Sequence, residues 1–230
     1  MTEYLDAGRF IDSTAPQVVA FARRIAESGA GEAERVLLLY HAIRDGIIYD
    51  PYVDMSDPGN FRASAVLERG RGFCIGKAAL FAAGARAIGV PARVGYADVR
   101  NHLTSPRFHD YVKTDVFIWH SYADLYVAGR WVKATPAFDI SLCERLNLKP
   151  LEFDAQTDSL LHPFDRAGRR HMEYLNDRGT FTDVPFDAIQ SDFRESYPML
   201  MQEKGLKGDF HTEAVAAAED QVPASSKSRS

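Results

Sequence analysis

The segment Cys74 to Ile88 constrains this chain more than any other. It reads Cys-Ile-Gly-Lys-Ala-Ala-Leu-Phe-Ala-Ala-Gly-Ala-Arg-Ala-Ile, small and apolar on nearly every side except at Lys77 and Arg86. A helix with no polar face has to be surrounded, so the remaining elements must pack around this one. The spacing predicts a buried helix over 75–87, ended by Gly89 and Pro91. Before it, Arg71-Gly72-Phe73 reads as a tight turn that sets Cys74 in the helix's first turn. Unpaired N–H groups and partial positive charge at a helix N-terminus favour a thiolate. The thiolate is the nucleophilic form, so the pattern is that of a reactive cysteine.

The flanking segments supply two helices before this one and strands after it. Val18, Phe21, Ala22 and Ile25 lie at helical spacing within 14–28, and Val36, Leu39, Tyr40 and Ile43 within 32–45. A short helix is predicted over 63–68. Strands are predicted over 92–99, 113–127 and 130–134, the last two joined by a turn at Ala128-Gly129. Along 113–127, His120, Tyr122, Asp124 and Tyr126 share one face, while Trp119, Ser121, Ala123 and Leu125 share the other. Residues 101–110 read as a polar loop. Residues 150–200 read as loop and short helix, interrupted by Pro150, Pro163, Pro185 and Pro198. The expected domain is 1–212, with a small, polar, Ser-rich tail over 213–230 expected to be disordered.

Several function classes lose support from bulk properties. A net charge of −5 without a long basic run argues against nucleic acid or an anionic membrane as main partner. Two cysteines, Cys74 and Cys143, cannot build a disulfide framework and fit a reducing compartment. The acidic Met1-Thr2-Glu3-Tyr4-Leu5-Asp6 lacks an apolar signal core, and no stretch reaches the roughly 20 apolar residues of a membrane span. A cytoplasmic protein is therefore expected. Gly70 to Ala78 lacks the spacing and final hydroxyl of a phosphate loop. His102 with His109, or His162 with Asp165 and His171, have no compact metal-ligand spacing, so no metal or other cofactor is expected. Arg166, Arg169 and Arg170 could bind a carboxylate or phosphate, and equally could form an exposed basic stretch. Cys143 has no reactive setting and reads as core.

Three motifs in order carry a resemblance. Gly72-Phe73-Cys74 looks like a Gly-x-Cys nucleophile turn. Ala87-Ile88-Gly89-Val90-Pro91-Ala92-Arg93-Val94 and His120-Ser121-Tyr122-Ala123-Asp124, continuing to Gly129-Arg130-Trp131-Val132, follow it. Over about 60–139 the chain resembles the transglutaminase-like superfamily of papain-like cysteine enzymes. The resemblance implies an α+β papain-like, transglutaminase-like fold, with N-terminal helices packed on an antiparallel β-sheet. It implies Cys74 as nucleophile, His120 as acid and base, and a thioester acyl-enzyme. The substrate would be a peptide, amide or thioester, with water or an amine as acceptor. Backbone N–H groups at the helix start would hold the oxyanion, with Tyr49 or Tyr52 as candidate additional donors.

The third member of a triad is left open by the residues. The family places Asp four residues after the tryptophan, where this chain has Thr135 in Trp131-Val132-Lys133-Ala134-Thr135-Pro136. Asp139 is the favoured group to orient His120, with Thr135 and Asp124 as alternatives. Trp131 is expected to pack behind the histidine strand. A non-catalytic binding module that kept the fold is the competing reading, and the threonine at 135 is its best support.

Overall fold

In the computed structural model, residues 1–101, 106–161, 164–168, 171–202 and 206–213 are described. The first half is helical: α1 (Pro16–Ala26), α2 (Glu32–Gly46), a two-residue strand β1 (Ile48–Tyr49), α3 (Ala63–Arg69), a second short strand β2 (Arg71–Gly72) and α4 (Cys74–Ala87). The second half supplies β3 (Ala92–Asn101), α5 (Pro106–Val112), β4 (Val116–Val127), β5 (Arg130–Ala134), α6 (Ile140–Arg145), β6 (Met172–Phe181), α7 (Phe186–Ser196) and α8 (Pro198–Gln202).

Helix α4 lies at the centre, as its composition demands. Ile75, Ala78, Ala79, Leu80, Phe81, Ala82, Ala83 and Ala85 are all fully buried. One side meets α1, α2 and α3, and the other lies on β3 and β4. Gly76 is required by close approach: a Cβ there would lie 2.6 Å from the Asn60 carbonyl and 2.8 Å from Val66. Lys77 is buried too, and its Nζ donates to the Arg44 and Ile47 carbonyls at 2.9 and 2.5 Å. Both carbonyls lie at the end of α2, so the Lys77 nitrogen closes that helix. Burial lowers the Lys77 pKa to about 7.

Four strands form one antiparallel sheet in the order β5-β4-β3-β6. The hairpin between β4 and β5 turns on Ala128 and Gly129, at φ 49° and 84°. Two successive left-handed residues match the right-handed twist of the flanking strands. β1 and β2 pair in parallel and tie Tyr49 beside Gly72, two residues before Cys74.

Two elements, α5 and β6, depart from the sequence reading. Part of the expected loop 101–110 belongs to α5. The region 150–200, read as loop and short helix, does contain the helix α7, but it also contains β6, a ten-residue strand on the sheet edge. β6 is half to fully exposed over Glu173–Phe181, so no apolar alternation marks it. His102, His162, Arg169, Arg170 and the tail beyond Glu213 lie outside the described residues. Glu213 itself accepts the Tyr52 hydroxyl at 2.5 Å and pairs with Arg107.

Candidate active site

Cys74 opens α4 and remains partly exposed. Its backbone neighbours follow from the pairing of β1 with β2, which ends one residue before Phe73 and turns the chain into the helix. The N–H groups of Ser121, Ile75 and Cys74 itself point at the sulfur and favour its ionised form. Burial outweighs them and pushes the thiol up to about 11. The helix start alone suggested a lowered value. Enclosure by the sheet pushes in the opposite direction.

The Ser121 N–H contact brings the sulfur against β4 immediately after His120. Cys74 and His120 line the same cavity of about 90 Å³. Tyr49, Phe73, Phe138, Met172 and Phe210 contribute further walls. The cavity is overwhelmingly apolar: no Asp, Glu, Lys or Arg lines it among the described residues. The Tyr49 phenol is raised well above its ordinary value, first by burial and then by the Cys74 sulfur. A phenol that stays protonated beside Cys74 is a hydrogen-bond donor. Tyr52 instead donates its hydroxyl hydrogen bond to Glu213.

His120 is aimed by an irregularity in β4. Ala97 pairs with His120 and Val99 with Phe117, so Asp98 faces two residues, Ile118 and Trp119. This is a β-bulge, and Trp119 within it adopts φ 60°. A bulky residue at positive φ is uncommon and costs energy that neighbours must offset.

The three candidates for orienting His120 sit in different surroundings. Thr135, just past β5, is buried and lines a small void together with His120. Its hydroxyl has no hydrogen-bond partner among the described residues. Asp139 is also buried. Its carboxylate caps α6 at the Leu142 N–H (3.0 Å), accepts the Ser141 hydroxyl (2.6 Å) and the Tyr49 N–H (2.9 Å), and lies 3.4 Å from His211 Nε2. Burial alone would raise this carboxyl, but His211, Ser141 and the two N–H groups hold it well below the usual range. Asp124 is fully buried and accepts from Arg93 Nε at 2.8 Å. Four residues of strand separate it from His120, roughly 13 Å at about 3.3 Å per residue. Trp131 packs on Tyr4, Tyr126 and Arg93, at the hairpin end of β4 and away from His120.

Residues the sequence did not single out complete the surroundings. Phe210 walls the cavity and packs edge-on against Tyr49 and Tyr52. His211 contacts the Tyr49 carbonyl at 3.1 Å as well as Asp139. Cys143 is fully buried in a small cluster with Phe138, Leu142 and Met172. Arg166 and His109 are exposed. Among the described residues, no three His, Cys, Asp or Glu side chains gather in a way that could hold a metal ion. Nor is any helix there long and apolar enough to cross a membrane.

The sequence profile of the transglutaminase-like superfamily matches residues 19–136. This chain belongs to that superfamily. The match takes in Cys74, His120 and Thr135 and stops before Asp139. A candidate cysteine protease of Cytophaga hutchinsonii superposes on the transglutaminase-like chain with a TM-score of 0.50 and 19% identity. The alignment covers 81% of this chain and 48% of that one, so the chain spans about half the length of this neighbour. At such identity the likeness speaks for the fold alone, an α+β papain-like arrangement. A candidate protease of Parabacteroides distasonis aligns at 19% identity over 51% of this chain and 22% of that one. Its TM-score of 0.36 is too low to carry an argument. No curated protein matches the chain.

Proposed function

We propose that this transglutaminase-like protein carries out cysteine-dependent acyl chemistry on amides or thioesters, through a thioester on Cys74. The observation that carries the reading is the shared cavity: Cys74 stands at the head of a buried helix, and His120 lines the same space. Burial raises the Cys74 thiol, which favours His120 as a general base during attack over a standing ion pair. The sulfur bonds to the carbonyl carbon while its proton passes to His120. The oxyanion rests against N–H groups at the start of α4, with the Tyr49 phenol as a further donor. Collapse breaks the C–N or C–S bond, and His120 returns the proton to the leaving group. Water then gives hydrolysis, or an amine gives transfer.

Thr135 is the orienting group favoured here, because it shares a void with His120 and its hydroxyl is otherwise unused among the described residues. Asp139 keeps a second claim through its nearness to Tyr49. The uncharged lining argues for donors whose acyl side carries a bulky apolar group, since a charge placed there would lose its hydration without a counter-ion.

A binding module that kept this fold is the second reading, favoured by threonine in place of the family's aspartate and by the raised thiol. One experiment separates them. Intact mass of the protein after exposure to amide and thioester donors should show a single acyl adduct, absent in Cys74→Ala and strongest with apolar acyl groups. No adduct with any donor would leave the binding module.

A further inference from the structure

We infer that Asp98, Arg178 and Asp192 form a positioning device for His120, acting through the left-handed Trp119. The inference rests on the proposed role of His120.

A bulge takes backbone N–H groups out of the sheet ladder, and buried ones must find other acceptors. Here both are supplied. The Ile118 N–H donates to the Tyr197 hydroxyl at 2.8 Å, and that hydroxyl donates to the Val116 carbonyl at 2.9 Å. The Trp119 N–H donates to Asp98 Oδ1 at 3.2 Å. Asp98 is buried and stands directly across from the bulge.

The rest of the cluster fixes the Trp119 side chain. Its indole Nε1 donates to Asp192 Oδ2 at 2.9 Å, from α7. Arg178, on β6, donates to Asp98 Oδ1 at 2.5 Å and to Asp192 Oδ2 at 2.7 Å. Its guanidinium lies 4.6 Å from the Trp119 ring centre. Asn176 adds a contact to Asp98 Oδ2 at 3.3 Å. Backbone, ring and charge therefore close on one residue from β3, β6 and α7.

The consequence falls on the next residue. The φ of Trp119 sets the direction in which β4 resumes, and hence where His120 projects. An unbulged strand would shift the alternation by one and turn His120 to the opposite face. Without its surroundings Trp119 has no reason to stay left-handed, because a β-branched or bulky side chain disfavours that region. The fork geometry of Arg178 matters here: it joins two carboxylates and stacks on the indole together, which a lysine cannot do.

The test uses the full chain and p-nitrophenyl butyrate, reading the single-turnover burst that reports acylation of Cys74 across pH 5 to 10. In the unaltered protein the burst rate should rise through a midpoint well below the alkaline thiol range. Asp192→Ala, on a half-exposed face of a helix that tolerates alanine, should lower that rate by roughly 10²-fold, the cost of about 1 Å of misplacement. Its midpoint should also move towards the alkaline thiol range as His120 stops serving as base. Arg178→Lys should behave alike and is read instead if Asp192→Ala does not fold. A folded variant with unchanged rate and midpoint overturns the inference, and so does a slower burst with an unmoved midpoint, which marks a merely structural role. A burst in the unaltered protein that follows only an alkaline midpoint, or no burst, overturns the His120 reading itself and this inference with it.

Discussion

The Asp139 carboxylate receives the Tyr49 backbone N–H at 2.9 Å. The residue expected to orient His120 thus braces the short strand that carries a phenol towards Cys74. Asp139→Ala removes this bond, the α6 cap and the Ser141 contact together. We expect a stability loss on the order of 3 kcal/mol, read as a shift in the urea unfolding midpoint. Were Asp139 the group that orients His120, the same variant would lose turnover far out of proportion to stability.

Thr135 offers the complementary outcome. Its buried hydroxyl is unused among the described residues, so Thr135→Val should be neutral or slightly stabilising. If the hydroxyl holds the imidazole of His120, kcat should fall by about tenfold while Tm holds or rises. Thr135→Asp places a charge in the position where the superfamily carries one and should raise kcat at the expense of Tm, since the void beside it is small.

Cys74→Ala should abolish acyl-adduct formation while changing stability by less than about 1 kcal/mol, because it removes one atom from a residue that already lines a cavity. Intact mass and a thermal melt on one sample check both halves. Cys143→Ala, in a fully buried position, should do the reverse: normal adduct and a lowered melt.

The Asp139–His211 contact gives a pH dependence with a definite sign. His211 is raised above its ordinary value, mainly by Asp139, so its stabilisation is complete below about pH 6.5 and is lost as pH rises through the raised value. Asp139 is depressed, so its contribution is present above about pH 4 and is lost as pH falls through the lowered value. The 206–213 segment should therefore be best held between those limits. Hydrogen exchange, corrected for intrinsic rates, should show it loosening on the alkaline side, and His211→Gln should remove that transition.

Much of this arrangement is legible in the chain because it is dictated by composition. α4 could hardly be anything but a buried helix, and the hairpin after it follows from alternation and the Ala128-Gly129 turn. What escapes is set by tertiary context. β6 is an edge strand whose exposed polar residues and two register shifts erase the period of two. α5 hides because its polar residues and Pro106 suit a loop equally well. The bulge at Trp119 cannot be counted from one strand, since it exists only in relation to Asp98 across the ladder. Similarly, the helix start argued for a lowered Cys74 pKa, and only the packed sheet shows that burial prevails.

Phe210 makes the cavity wall out of a segment held by a few ring edges, the His211 contact to Asp139 and the Glu213 contacts to Tyr52 and Arg107. Whatever unseats it would open the proposed thioester to water. The partition of an acyl group between water and an amine would then be governed less by the nucleophile's helix than by how long that aromatic door stays shut.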